Sequence, residues 1–236
     1  MEKERFIVVS NFAKDIITYA QSKQTRTFKG GPAFWIIETL KNLKVKYQII
    51  VPHKQAIVRI TVQKNKETGK VVYCEKIKLS RQVTGSIFLI STILNEFSLS
   101  NLKRLKGFIA MDIQGYARAA GNSKISFPKG TAEKIDLIKA TSSELKKLPS
   151  AIVRKQKNKI LIVTRGVRGF QIFAQGEKYE YHTKRTKSLD TIGAGDTLLT
   201  AFVVEWLKTR DVSKASGKAQ SIVGSFLDRK KKAPLR

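Results

Sequence analysis

Asp190-Thr191-Ile192-Gly193-Ala194-Gly195-Asp196-Thr197 passes from a polar turn, through two glycines and an alanine, into an apolar helical run carrying Leu198, Leu199, Ala201, Phe202 and Trp206. Small residues leave backbone N–H groups uncovered. At a helix N-terminus those groups and the helix dipole make an anion site. A carboxylate in the first turn then stands beside the bound anion. Phosphoryl transfer to an alcohol needs that pairing: N–H groups hold charge on the moving phosphoryl, and a carboxylate takes the hydroxyl proton. Read locally, the same stretch is an ordinary helix start with Asp196 in a dipole-favoured first turn. The surrounding chain decides between the two.

Outward from this stretch, apolar strand-like runs alternate with helical ones. Residues 4–10 contain the continuous β-branched run Phe6-Ile7-Val8-Val9, and residues 46–51, 86–91, 107–113, 135–140 and 159–164 read as further buried strands. Gly30-Gly31-Pro32 turns into a helix with Pro32 at its first position, and Ala33, Ile36, Ile37 and Leu40 recur on one helical face. A short helix around 99–105 has Ser98 or Ser100 as its cap. Residues 56–79 differ: two alternating apolar runs flank the polar turn Lys64–Gly69, which predicts a hairpin projecting from the main sheet. Helices over 194–208 and 213–227 close the chain. The pattern predicts one α/β domain over residues 1–236, a largely parallel sheet between helices, with ligands beyond the carboxyl ends of the strands.

With this order in view, Asp190–Asp196 resembles the D-T-x-G-A-G-D signature of the ribokinase-like (PfkB) carbohydrate kinases. Gly30-Gly31-Pro32-Ala33 resembles the family's N-terminal glycine pair, which approaches the substrate, and Asp15 resembles the aspartate that binds acceptor hydroxyls. Thr164, Gly166 and Gly169 resemble the T-x-G-x-x-G turn beside the ATP phosphates and nucleoside. The resemblance implies a β-sheet sandwiched by helices, with residues 56–79 as part of a small β lid. It also implies ATP and Mg²⁺ as cofactors, Asp196 as catalytic base, and Gly193, Ala194 and Gly195 as the phosphate cradle.

The chain departs from the family pattern in two places. Trp35 stands where a common pattern has a sugar-binding asparagine. The N-x-x-E motif, whose glutamate organises magnesium through water, is here Thr141-Ser142-Ser143-Glu144. Glu144 is retained, and T-x-x-E before a helix is equally a capping box. Asp112-Ile113-Gln114-Gly115-Tyr116-Ala117-Arg118 resembles a D-x-Q-G-x-x-R segment of archaeal members and inositol kinases, which makes Arg118 a substrate-binding candidate and myo-inositol the leading acceptor. The local alternative for Arg118 is a salt bridge near the sheet edge.

Cys74 is the only cysteine, so no intramolecular disulfide forms and a cytoplasmic setting is expected. With only His53 and His182 besides, a tetrahedral His/Cys zinc site is excluded. No apolar run approaches membrane-span length, so no membrane partner is expected. The 46 Lys+Arg against 18 Asp+Glu give a formal net charge of +28. Such a surface attracts polyanions weakly and nonspecifically. A non-catalytic polyanion- or nucleic-acid-binding protein on a kinase-like scaffold is therefore the competing reading. The basic run Arg229-Lys230-Lys231-Lys232 follows the last predicted helix and carries no motif residue, so it is expected to lie apart from the site. Edge strands of a lid hairpin can pair between subunits, which makes a homodimer an expectation.

Overall fold

The structure is a computed structural model that describes residues 5–63, 66–182 and 191–232. Six parallel strands form its centre: β1 (Phe6–Ser10), β4 (Tyr47–Ile50), β7 (Val83–Ser91), β8 (Leu105–Asp112), β9 (Leu137–Thr141) and β10 (Ile160–Thr164). They lie in the order β10-β9-β8-β7-β1-β4. An antiparallel pair, β11 (Phe170–Ala174) and β12 (Glu177–Tyr181), extends the sheet beyond β10.

The inner strands are buried on both faces along their apolar runs, whereas the edge strand β4 is partly exposed. Phe6, Val8, Ile87, Leu89 and Ile162 pack beneath α1 (Pro32–Asn42), α5 (Ala194–Thr209) and α6 (Val212–Lys232). The intervening Ile7, Val9, Phe88, Ile90 and Leu161 face α2 (Gln114–Ala119), α3 (Ser142–Leu145) and α4 (Ser150–Asn158). Helix α5 is buried over nine consecutive residues, from Asp196 to Val204. It is the central helix of its layer, not an amphipathic surface helix.

The chain runs from β1 to β4 on one side and returns to β7 on the other. That reversal leaves a crevice beyond the carboxyl ends of β1 and β7. A second sheet, ordered β3-β2-β5-β6, stands over the crevice. It comprises β2 (Ala13–Tyr19), β3 (Thr25–Gly30), β5 (Ala56–Gln63) and β6 (Lys66–Tyr73). The predicted lid is therefore present but larger than its one hairpin. Residues 13–30 supply two more strands, and the hairpin's second strand ends at Tyr73 rather than 79. Residues 74–79 form no strand; Ile77 makes one isolated bridge to Phe97 on the way back to the main sheet. The helix expected at 99–105 is a short 3₁₀ turn over Leu99–Arg104, and Ser98 precedes it without a side-chain capping bond. The last helix continues five residues past its predicted end, through the basic run.

Phe202 is fully buried at the centre of α5. Phe202→Ala is expected to destabilise the protein by about 3–5 kcal/mol, measured as a lowered midpoint in urea unfolding.

Candidate active site

Gly193 precedes α5 in a left-handed conformation, φ 87° and ψ −7°, which a glycine adopts without steric cost. The turn closes when the Ala194 N–H donates to the Thr191 carbonyl at 3.0 Å, and the Thr197 N–H reaches Gly193 O at 2.9 Å. The Ala194 amide is thus engaged within the loop itself. The first-turn amides of Gly195 and Asp196 have no acceptor inside the helix. Asp190, which opens the sequence signature, lies outside the described residues.

Asp196 is 6% exposed. Its Oδ1 accepts from Ser91 Oγ at 2.8 Å, at the carboxyl end of β7. Burial, then the neighbouring Asp112 carboxylate, raise its pKa from 3.8 to about 7, against the pull of the Lys139 ammonium and the Ser91 hydroxyl. Lys139, in β9, donates to Asp112 Oδ2 at 2.6 Å, and both side chains are almost wholly buried. Burial pulls the Lys139 pKa down, but the summed attraction of Asp112, Asp196 and Glu144 leaves it above its ordinary value. The Lys139 ammonium also lies 2.5 Å from the point where a Gly195 Cβ would stand. A side chain at Gly195 would displace the Lys139 ammonium from its place beside Asp112, a constraint the sequence did not reveal.

One cavity of about 1040 Å³ joins these groups to both flanks of the crevice. On the lid side it is lined by Asp15, Gly31, Trp35, Val58, Ile93 and Arg118. Asp15 is buried on β2, and a Cβ at Gly30 would collide with its carboxylate. Gly30 is thus a packing requirement of the lid and does not line the cavity, whereas Gly31 does. Gly31, at φ 83°, lets α1 start against the Ala13 N–H, 2.6 Å from where its Cβ would be. Arg118 donates to the Ile93 carbonyl, a loop contact in place of the salt bridge weighed from the sequence. That loop is held in turn by the buried Glu96 carboxylate, which accepts from the Ile93 and Leu94 amides.

On the opposite side the wall comprises Thr164, Gly166, Val167 and Gly169 from the β10–β11 turn, with Gln220 and Gly224 from α6. A Cβ on Gly166 would meet nothing, so that glycine opens onto the cavity. One on Gly169 would strike the Tyr181 carbonyl, so that glycine serves the turn. Glu144 forms the capping box with Thr141, its Oε2 accepting the Thr141 N–H at 2.7 Å. Among the described residues no three His, Cys, Asp or Glu side chains cluster to hold a metal by themselves.

The family model for pfkB family carbohydrate kinases matches residues 40–222. The chain belongs to this family. It is a phosphotransferase with an alcohol group as acceptor. The fold agrees across its length. A sulfate-bound pyrophosphate-dependent kinase in the ribokinase family superposes with a TM-score of 0.75 at 18% identity, over 98% of this chain and 97% of that one. Arabidopsis thaliana ribokinase, complexed with ribose and ATP, gives 0.71 at 16% identity over 93% and 91%. A Methanocaldococcus jannaschii nucleoside kinase gives 0.70 at 17% identity over 95% and 92%. No curated protein matches the sequence. Among the described residues no helix is long and apolar enough to cross a membrane.

Ser91 and Lys139 carried no motif. Lys139 did leave a signal: it is a lone charge inside the apolar strand run Leu137-Ile138-Lys139-Ala140, and a lysine is rarely buried unless paired. Ser91 could be found only by knowing which strand ends beside α5.

The raised Asp196 pKa has a consequence for stability. Between its ordinary and folded values the folded chain holds a proton that the unfolded chain has lost, so stability contributed by the protonated group declines as pH rises through about 7. Asp196→Asn removes that ionisation and retains an acceptor for Ser91. In thermal denaturation without ligands, the variant is expected to melt several degrees above the native protein at pH 8, with the difference shrinking toward pH 5.

Proposed function

We propose that the kinase transfers the γ-phosphoryl group of ATP to a hydroxyl of a small polyhydroxylated acceptor, a sugar, a polyol such as myo-inositol, or a nucleoside. The observation that carries this reading is the continuity of the cavity on both sides of Asp196. Beyond the Gly193–Asp196 loop it extends along α6, where a Cβ on Gly217 or Gly224 would meet nothing within 4 Å. A pyrophosphate donor would end near the loop. The further space, walled by Val167, Val223 and Leu227, suits a nucleoside.

In this reading the acceptor lies between Asp15 and Arg118 on the lid side, with one hydroxyl directed at Asp196. Ser91 holds Asp196 Oδ1 and leaves Oδ2 for the hydroxyl proton. The acceptor oxygen forms its bond to the γ-phosphorus as the bond to the β–γ bridging oxygen breaks. The proton passes to Asp196 and ADP leaves. The Gly195 and Asp196 amides, with the positive end of α5, stabilise charge on the transferring group. Buried Lys139 adds a fixed positive charge beside the base. Thr164 and Gly166 border the donor's phosphates. Glu144 fits a magnesium site held through water, because its capping bond occupies Oε2 and leaves Oε1 available. Magnesium usually keeps several waters and needs few protein carboxylates. When bound it would neutralise donor phosphate charge. A single cysteine, which allows no intramolecular disulfide, suits a cytoplasmic setting.

Product formation from ATP and from pyrophosphate, across polyols, sugars and nucleosides, tests the donor and the acceptor together. ATP is expected to support transfer and pyrophosphate is not; the reverse would overturn the donor assignment. Asp196→Asn is expected to lower kcat by roughly 10²–10⁴ with ATP affinity little changed. For the native enzyme, kcat/KM should rise with pH through about 7 as the free base ionises. Near-normal turnover by the variant would remove Asp196 from the chemistry.

A further inference from the structure

The basic run at the end of the chain does not lie apart from the site. Arg229 is exposed, but Lys230 turns inward from α6. Its ammonium donates to the Ile192 carbonyl at 2.6 Å, in the loop that leads into α5. The same ammonium sits 4.5 Å from the centre of the Trp35 ring and 5.2 Å from that of Phe226. Trp35 and Phe226 meet edge to face at 5.4 Å. Trp35 in turn lies flat against Gly193, so closely that a Cβ there would overlap its ring. Three segments distant in sequence, residues 35, 192–193 and 226–230, thus converge on one peptide group.

That peptide is the Ile192–Gly193 bond. In a planar trans peptide the C=O and the next N–H point in opposite directions. A hydrogen bond that draws the Ile192 carbonyl toward α6 therefore turns the Gly193 N–H away from α6. Gly193 itself imposes little on this plane, because a glycine rotates through positive and negative φ at similar cost. The orientation has to come from outside the residue. Lys230 supplies it on the carbonyl side, and the Trp35 ring closes the face above the glycine. The two aromatic faces favour a cation over a neutral donor at this position.

We propose that Lys230 and Trp35 form a latch that fixes the Ile192–Gly193 peptide and so holds the anion loop in its phosphoryl-binding form; Lys230 is a positioning residue supplied by the C-terminal helix. This rests on the reading of residues 193–196 as the phosphoryl cradle. It also explains why Trp35 occupies a place where other family members are expected to contact the acceptor: here the side chain is engaged by the loop and by α6.

The test compares Lys230→Met, which keeps an apolar stem without the donor or charge, with Lys230→Arg and with Arg229→Met on the exposed neighbour. Lys230→Met is expected to lower kcat about 10–100-fold with acceptor KM unchanged and a melting temperature close to native. Lys230→Arg should recover most of the loss, and Arg229→Met should match the native enzyme. The loss should persist in about 0.5 M NaCl, where attraction between separated exposed charges is screened. Native kcat in Lys230→Met, an equal loss in Arg229→Met, or recovery of Lys230→Met in high salt would each overturn the latch. A second readout does not depend on turnover. Calorimetric titration with sulfate, a tetrahedral dianion, should show about tenfold weaker binding to Lys230→Met than to the native protein. If the native protein transfers no phosphoryl group to any acceptor, the proposed reaction fails, and the sulfate titration still decides whether Lys230 shapes an anion site.

Discussion

A carboxylate buried at the amino end of a buried helix is the constraint around which this structure is arranged. Asp196 would be costly to ionise in an apolar site, because transferring a charge out of water carries a large penalty. The surroundings moderate that penalty without abolishing it. Ser91 donates a hydrogen bond, Lys139 supplies positive charge, and α5 directs its positive end toward the group. Asp112 works in the opposite sense, because it raises Asp196 while anchoring Lys139. The result is a carboxylate whose pKa lies near neutral pH, the range that suits proton transfer.

The parallel sheet makes this balance possible. Ser91, Asp112 and Thr141 stand at the carboxyl ends of three adjacent strands, with Lys139 two residues earlier in β9. Each strand is buried on both faces, so its backbone is rigid and its last side chains are delivered to fixed points. The lid sheet stands on the same rim and adds Asp15 and a row of aliphatic side chains. Polar and apolar surfaces therefore face each other across one crevice, a common composition for a small-molecule site.

The charge of +28 has a partly local meaning. Most lysines are exposed, but Lys139 and Lys230 are turned inward, one beneath Gly195 and the other behind Ile192. Both bring positive charge to the loop. Composition alone gave no means of separating these two from the other 44 basic residues.

The alternation of strands and helices and the Gly-Ala-Gly-Asp loop were legible in the sequence, because each rests on local periodicity or on residues adjacent in the chain. So were the hairpin expected at 56–79, although its second strand stops at Tyr73, and the capping box at Thr141. Strands β2 and β3 were not, since Lys14, Thr18, Arg26 and Lys29 break up their apolar pattern, and they exist as strands through pairing with each other and with β5. The end of α6 was misplaced for a related reason. Its last turns are polar, and they are anchored by Phe226 and Lys230 against Trp35 and Ile192, partners far away in sequence. Sequence by itself determined the family, the layered α/β fold and the position of the Gly-Ala-Gly-Asp loop at the start of a helix. Tertiary structure alone decided which lysines, which serine and which tryptophan meet Asp196 and the loop before it, because those contacts join residues brought together only when the strand ends and helix ends meet at one rim of the sheet.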